Sequence, residues 1–108
     1  MLVVSRFRVP EEDTERFLGE LRAALALLAE RPGYVDAQVG RNVDEPTLWV
    51  MTTRWADVGS YRRALSSYDV KVGAVPLLSR ALDEPSAYEA VALEGDPGLN
   101  RAVPRSLR

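Results

Sequence analysis

Seven side chains in this sequence are able to shape a ligand site: Phe7, Trp49, Met51, Trp55, Tyr61, Tyr68 and Tyr88. Trp49, Met51 and Trp55 recur at even spacing along one stretch, and Tyr61 follows Trp55 by six residues. Such residues can build a flat apolar slot, and a tyrosine hydroxyl within it can hydrogen-bond a ligand oxygen. The same types also fill ordinary cores, so type alone does not assign them. To act as a base, Tyr61 needs a pKa well below the usual value of about 10, and the sequence assures no cation beside it.

The remaining candidates are weaker. There is no histidine and no cysteine, which removes the usual general base near neutral pH, the commonest metal ligand, thiolate metal sites and disulfides. Ser66 and Ser67 lack a histidine partner and read as a helix end. Asp83 and Glu84 precede Pro85 and read as turn residues, while Glu11, Glu12, Asp13 and Glu15 suit the positive end of a helix dipole. Gly95 and Gly98 open no helix, so they form no phosphate loop.

The elements that must position these residues follow from periodicity. Leu2 to Val9 alternates, with Val3, Ser5, Phe7 and Val9 on one parity and Leu2, Val4, Arg6 and Arg8 on the other, as a two-faced strand does. Pro10 ends it. A helix is expected to about Glu30, its stripe made by Phe17, Leu21, Leu25 and Leu28 with Thr14, Leu18 and Ala24 alongside. Arg31-Pro32-Gly33 stops it.

A second strand runs from Tyr34 to about Asn42, with Val35, Ala37 and Val39 opposed to Asp36, Gln38 and Gly40. Asp44-Glu45-Pro46 turns the chain back into a third strand, Thr47 to Trp55. Asp57 is placed to cap a helix carrying Val58, Tyr61, Leu65 and Tyr68 on one side. Gly59 and Gly73 break that region, and a short last helix is expected from Pro76, bearing Leu77, Leu78, Ala81 and Leu82. Ser86 to Leu93 reads as a fourth strand. The order β-α-β-β-α-β is that of an α+β ferredoxin-like sandwich with one antiparallel four-stranded sheet. Residues 1–93 form the domain, and residues 94–108 read as a tail, flexible or clasping a partner subunit.

Composition bounds the partners. A chain of 108 residues with 46% hydrophobic content fits one domain. The net charge of −2 includes Arg101, Arg105 and Arg108 in an acid-free stretch from residue 99, which is +3 and leaves −5 for residues 1–98. An acidic body argues against a nucleic-acid surface. No apolar run suits a membrane helix, and MLVVSRFRVP lacks a signal-peptide pattern, so a cytoplasmic protein without membrane contact is expected. One sheet face is expected to show Leu2, Val4, Leu48, Val50, Val91 and Leu93 together with Arg6, Arg54, Asp36 and Glu89. That mixture suits two sheets pressed together across a two-fold axis, with Arg6 or Arg54 paired to Asp36 or Glu89, and predicts a homodimer.

Taken together, RPGYV at the second strand, the acidic turn before TLWVMTTRW, the TRWADVGSY junction and PLLSRALDEPSAYEAV resemble the antibiotic biosynthesis monooxygenase domain, a dimeric α+β barrel family, over residues 2 to about 93. The resemblance implies a homodimer with facing sheets and one pocket per subunit between sheet and helices. There, relatives accept flat aromatic molecules and oxidise them with molecular oxygen, with no cofactor, neither metal nor flavin.

Trp55 matches the family's pocket tryptophan and Tyr61 a tyrosine of anthrone-oxidising members, so these two are the implied catalytic residues, with Phe7, Trp49, Met51, Tyr68 and Tyr88 as the substrate-binding set. Met51 stands where those members place an asparagine, and Arg80 is only near the place of their pocket arginine. The haem-degrading branch requires an axial histidine, which this chain lacks. Two functions follow: a cofactor-independent monooxygenase acting on a small aromatic or quinol-type molecule, or a non-catalytic dimeric domain that binds a small hydrophobic ligand.

Overall fold

A computed structural model describes residues 1–93, and the expected tail, 94–108, lies outside the described residues. Strand β1 (Leu2–Arg8) leads through a 3-10 turn at Glu11–Asp13 into helix α1 (Thr14–Ala29), followed by β2 (Tyr34–Arg41), β3 (Leu48–Trp55), three short helices α2 (Val58–Ser66), α3 (Tyr68–Gly73) and α4 (Val75–Leu78), and β4 (Ala87–Tyr88). The sheet is antiparallel in the order β2-β3-β1-β4. This is the α+β ferredoxin-like arrangement that the alternation predicts.

The helices cover one face. From α1 the buried residues are Phe17, Leu21, Ala24 and Leu28, packed with Val3 and Phe7 of β1, Trp49, Met51 and Trp55 of β3, and Ala64, Val70 and Leu77 of the later helices. Asp57 caps α2 as expected, its carboxylate accepting the Ser60 backbone N–H at 2.7 Å. Between α2 and α3 Ser67 is extended (φ −69°, ψ 147°), and its hydroxyl closes the preceding turn by donating to the Ala64 carbonyl at 2.8 Å. At Gly73 α3 passes close to α1: a Cβ there would take the place of the Leu27 terminal methyl, which would have to turn aside.

Three details depart from the alternation. Tyr34 pairs with Trp55 and Asp36 with Arg54, so the chain slips by one residue between them. This β-bulge leaves Val35 out of the register and turns Tyr34 to the helix side, the place that strict parity gives to Val35. Strand β4 is shorter than Ser86 to Leu93, because past Tyr88 the chain runs beyond the end of β1 at Leu2. Tyr88, expected to face the helices, lies opposite Leu2 and therefore on the other face, half exposed, its hydroxyl donating to the Pro85 carbonyl at 3.2 Å.

The outer face carries the expected mixture. Arg54 donates from Nε to Asp36 at 2.7 Å, directly across the ladder. These hydrogen bonds, with the guanidinium charge, hold the Asp36 carboxyl below the usual carboxylate range. Within the chain Arg6 pairs with Glu84 at 2.8 Å, because the segment entering β4 runs antiparallel beside β1, Leu82 N–H donating to the Arg6 carbonyl at 2.8 Å. Leu2, Val4, Leu48 and Val50 lie among these charges, partly covered.

The turn between α1 and β2 passes through a left-handed residue. Gly33 has φ 91°, and its carbonyl accepts the Ala56 N–H at 2.7 Å. A Cβ at this position would meet the Ser60 side chain at the start of α2. Gly33→Ala combines a left-handed backbone with a collision, so urea unfolding should show a loss on the order of 2–4 kcal/mol. A loss within 0.5 kcal/mol, of the order of an ordinary surface change, would contradict this account.

Candidate functional site

A cavity of about 310 Å³ opens between the central strands and the helices. Its floor is Val3 and Ser5 of β1 with Met51 and Thr53 of β3; Leu28, Tyr61 and Leu78 form the helical walls; and the segment from Ser79 to Ser86 closes the remaining side. The β1–β3 register explains the floor. Val3 lies opposite Thr53 and Ser5 opposite Met51, so two apolar and two hydroxyl-bearing side chains alternate diagonally over two neighbouring rungs.

Trp55 stands behind this cavity, 2% exposed and outside its lining. Its indole Nε1 donates to the Thr53 hydroxyl oxygen at 2.9 Å. The bulge brings the Tyr34 ring edge-on to it at 5.6 Å and 85°, and the Tyr61 ring lies tilted against it at 5.6 Å. Tyr61 thus has Trp55 on one side and the cavity on the other. Burial pushes its phenol above the ordinary tyrosine value, and no cation acts to lower it. At neutral pH Tyr61 is a hydrogen-bond donor, not a base.

The other expected site residues separate. Of the seven, Met51 and Tyr61 line the cavity and Trp55 backs it. Phe7 and Trp49 belong to a second aromatic cluster bridged by Phe17, with centroids 5.3 Å and 5.7 Å apart, and the Arg41 guanidinium lies over Trp49 at 4.5 Å. Tyr68 is 79% exposed at the start of α3, and Tyr88 lies on the outer face. Neither borders the cavity.

Ser5 and Thr53 are the lining residues that an aromatic reading passes over. Their signal in the sequence is a hydroxyl on the buried parity of each central strand, amid Val3, Phe7, Trp49, Met51 and Trp55. At the cavity mouth, Arg6 holds the Glu84 carboxyl below its usual range, first by donating hydrogen bonds and then by its charge. Arg80 lies elsewhere, at a smaller cavity of about 190 Å³ floored by Phe7 and Phe17, where it pairs with Glu20 at 3.0 Å. Arg8 and Arg16 at that cavity are likewise neutralised, by Glu45 and Asp13. Among the described residues no cluster of three or more histidine, cysteine, aspartate or glutamate side chains could hold a metal ion, and no helix is long and apolar enough to cross a membrane.

The family model described as antibiotic biosynthesis monooxygenase matches residues 1–74. No curated protein sequence matches the chain. Among solved structures, SnoaB from Streptomyces nogalater, a cofactor-independent oxygenase, is 25% identical with a TM-score of 0.72, covering 88% of this chain and 96% of its own. A conserved protein from Methanosarcina mazei Go1 is 26% identical with a TM-score of 0.64, over 80% of this chain and 84% of its own. A third structure, of an antibiotic biosynthesis monooxygenase, is 17% identical with a TM-score of 0.64, over 85% and 100%, and bears on the fold alone.

The half-buried phenol of Tyr61 has a measurable consequence. A folded pKa raised above the unfolded one leaves stability intact below about pH 10 and removes it as pH rises through the folded value. Following phenolate absorbance during alkaline titration, Tyr61→Phe should delete a late-titrating phenol from the four tyrosines. Deletion of a phenol that titrates at the ordinary value would show that Tyr61 is not buried as described.

Proposed function

The chain belongs to the antibiotic biosynthesis monooxygenase family, and we propose that it oxidises a small aromatic or quinol-type molecule with molecular oxygen in the cavity between sheet and helices, with no metal or flavin. The observation that carries this reading is the cavity itself, which sets apolar side chains from Val3, Leu28, Met51 and Leu78 beside the hydroxyls of Ser5, Thr53 and Tyr61. Its volume of about 310 Å³ is at the lower end for small-molecule pockets, which suits one or two fused rings better than three. The likeness to SnoaB supports the reaction type.

The balance of such a reaction asks little covalent chemistry of the protein. A phenol with a free ring C–H, once ionised, is electron-rich enough to reduce oxygen. One oxygen atom bonds to the ring carbon, the other leaves as water with the two hydrogens that the substrate gives up, and a quinone results. The substrate supplies every electron. The protein binds the ring, favours the ionised oxygen by donating hydrogen bonds to it, and keeps competing water away. Tyr61 meets the substrate from the helix side, with Trp55 fixing its ring from behind; the substrate's proton leaves to water, since Tyr61 keeps its own.

A second reading is favoured by Met51, whose thioether occupies the cavity floor and accepts hydrogen bonds poorly. In that reading the domain binds a small hydrophobic ligand without turnover. The two are separated by oxygen uptake from metal-stripped protein with a panel of naphthols, hydroquinones and anthrones. The oxygenase reading expects uptake above the spontaneous rate, unchanged by chelator and lowered about 10²-fold in Tyr61→Phe. Ligand binding with no uptake across the panel would leave the binding domain.

The chain is also proposed to form a homodimer through its outer sheet face. Members of the family are typically small dimers, and Leu2, Val4, Leu48 and Val50 flanked by Arg6 and Arg54 make a face suited to a second copy. Sedimentation equilibrium should give twice the 12.0 kDa chain mass, and Val50→Glu should shift the protein to monomer with its far-ultraviolet spectrum unchanged. A native monomer at micromolar concentration would refute the dimer.

A further inference from the structure

We propose that the Thr53 hydroxyl is the polar anchor of the cavity, held as a donor by Trp55, and that Thr53 and Ser5 together grip the oxygens of a phenolic ring. The inference rests on reading the cavity between sheet and helices as a ligand site, and it names what that site recognises. It makes Trp55 a positioning residue that works through Thr53 and does not touch the ligand.

Thr53 is 2% exposed, and its Oγ1 accepts the indole Nε1–H of Trp55 at 2.9 Å. A threonine hydroxyl has one hydrogen to donate and two acceptor positions. With one acceptor position filled by Trp55, the hydroxyl hydrogen must turn away from the indole. Among the described residues no acceptor receives it, and the side chain borders the cavity. A hydroxyl whose hydrogen is turned toward a cavity is placed to donate to an acceptor there, so a ligand oxygen completes the geometry that Trp55 sets.

Ser5 supplies a second hydroxyl. It is 7% exposed, borders the same cavity, and makes no side-chain hydrogen bond among the described residues. The ladder sets Ser5 opposite Met51 and Thr53 two residues farther on, a diagonal separation of roughly 7–8 Å between the two backbones. Two hydroxyls so spaced suit two oxygens carried on one ring better than the paired oxygens of a single carboxylate. Val3, Met51, Leu28 and Leu78 supply apolar contact for the ring itself. Around the anchor the facing groups are Tyr61, which keeps its proton, and at the mouth Asp83 and the Arg6–Glu84 pair; no unpaired cation lines the cavity among the described residues. Selectivity for an ionised phenol over a neutral one therefore falls to hydroxyl donors, because a hydrogen bond to the charged form favours that form.

The test uses the native full chain and 4-nitrophenol, whose ionisation is read directly from its phenolate absorption. Native protein should bind the probe, and Thr53→Val should weaken binding about tenfold and raise the bound probe's pKa relative to native. Trp55→Phe keeps a ring in place but loses the N–H, and should raise the bound probe's pKa in the same direction. Thr53→Ser should restore the native value. Native-like affinity and pKa in Thr53→Val, an unchanged bound pKa in Trp55→Phe, or no binding of the probe to native protein would each overturn the anchor. If Thr53→Val does not fold, as judged by circular dichroism, the Trp55→Phe and Thr53→Ser pair decides by the same readout. Because binding is measured without oxygen, loss of the oxygenase reading through absent turnover would leave this result standing, and the reverse also holds.

Discussion

The pairing of β1 with β3 is the constraint on which the rest of this structure depends. These two central strands match Leu2 with Arg54 through to Arg8 with Leu48 without interruption. Side chains alternate with a period of two, so a slip of β1 by one residue against β3 would send Val3, Ser5 and Phe7 to the face that now carries Arg6 and Arg54. The core, the cavity floor and the outer face are all products of one register. On its helix side, that register has an apolar majority against which Phe17, Leu21 and Leu28 pack, and the same rungs set the two hydroxyls beside Met51.

Along the helix-facing side the aromatic residues divide into two groups rather than one continuous slot. Phe7, Phe17 and Trp49 hold one end, and Tyr34, Trp55 and Tyr61 hold the other. The cavity lies beside the second group, and smaller or flexible side chains border it. Edge-to-face packing fixes ring orientation by electrostatics as well as by contact. Trp55 is therefore held by Tyr34 and Tyr61 at its ring and by Thr53 at its nitrogen. A residue so restrained can fix the direction of its neighbour's hydroxyl, which a solvent-exposed tryptophan could not.

Much of this was legible in the residues. Alternation in Leu2–Val9 and Thr47–Trp55, the Pro-Gly stop after α1, the Asp57 cap and the end of α3 at Gly73 lead to the observed order of elements, because each is a local signal with a local cause, whereas Gly59 lies inside α2 and that helix ends instead at the extended Ser67. The site was legible only in part. Tyr34 came to Trp55 through a bulge, and one extra residue in a strand leaves no mark in hydrophobic parity. Tyr88 changed faces because its partner strand, not its own sequence, sets its register. Tyr68 sits near Tyr61 in sequence, yet the extended Ser67 begins a new helix and frees it from the preceding one. Ser5 and Thr53 did carry a signal, a hydroxyl on a buried parity, but two strands had to be aligned before the hydroxyls could be seen to share a cavity.

The cavity has a division of labour in its lining. The floor, with the Ser5 and Thr53 hydroxyls, comes from the two central strands, which the register holds, whereas much of the remaining lining comes from Ser79 to Ser86, a short connection tied to β1 by a few backbone hydrogen bonds and the exposed Arg6–Glu84 pair. Substitutions in that connection disturb few core contacts, so they can accumulate at small thermodynamic cost. A lineage carrying this sheet can therefore retain the hydroxyl-bearing floor while exchanging the wall that shapes the cavity, and new cavity shapes become reachable without passing through an unfolded intermediate.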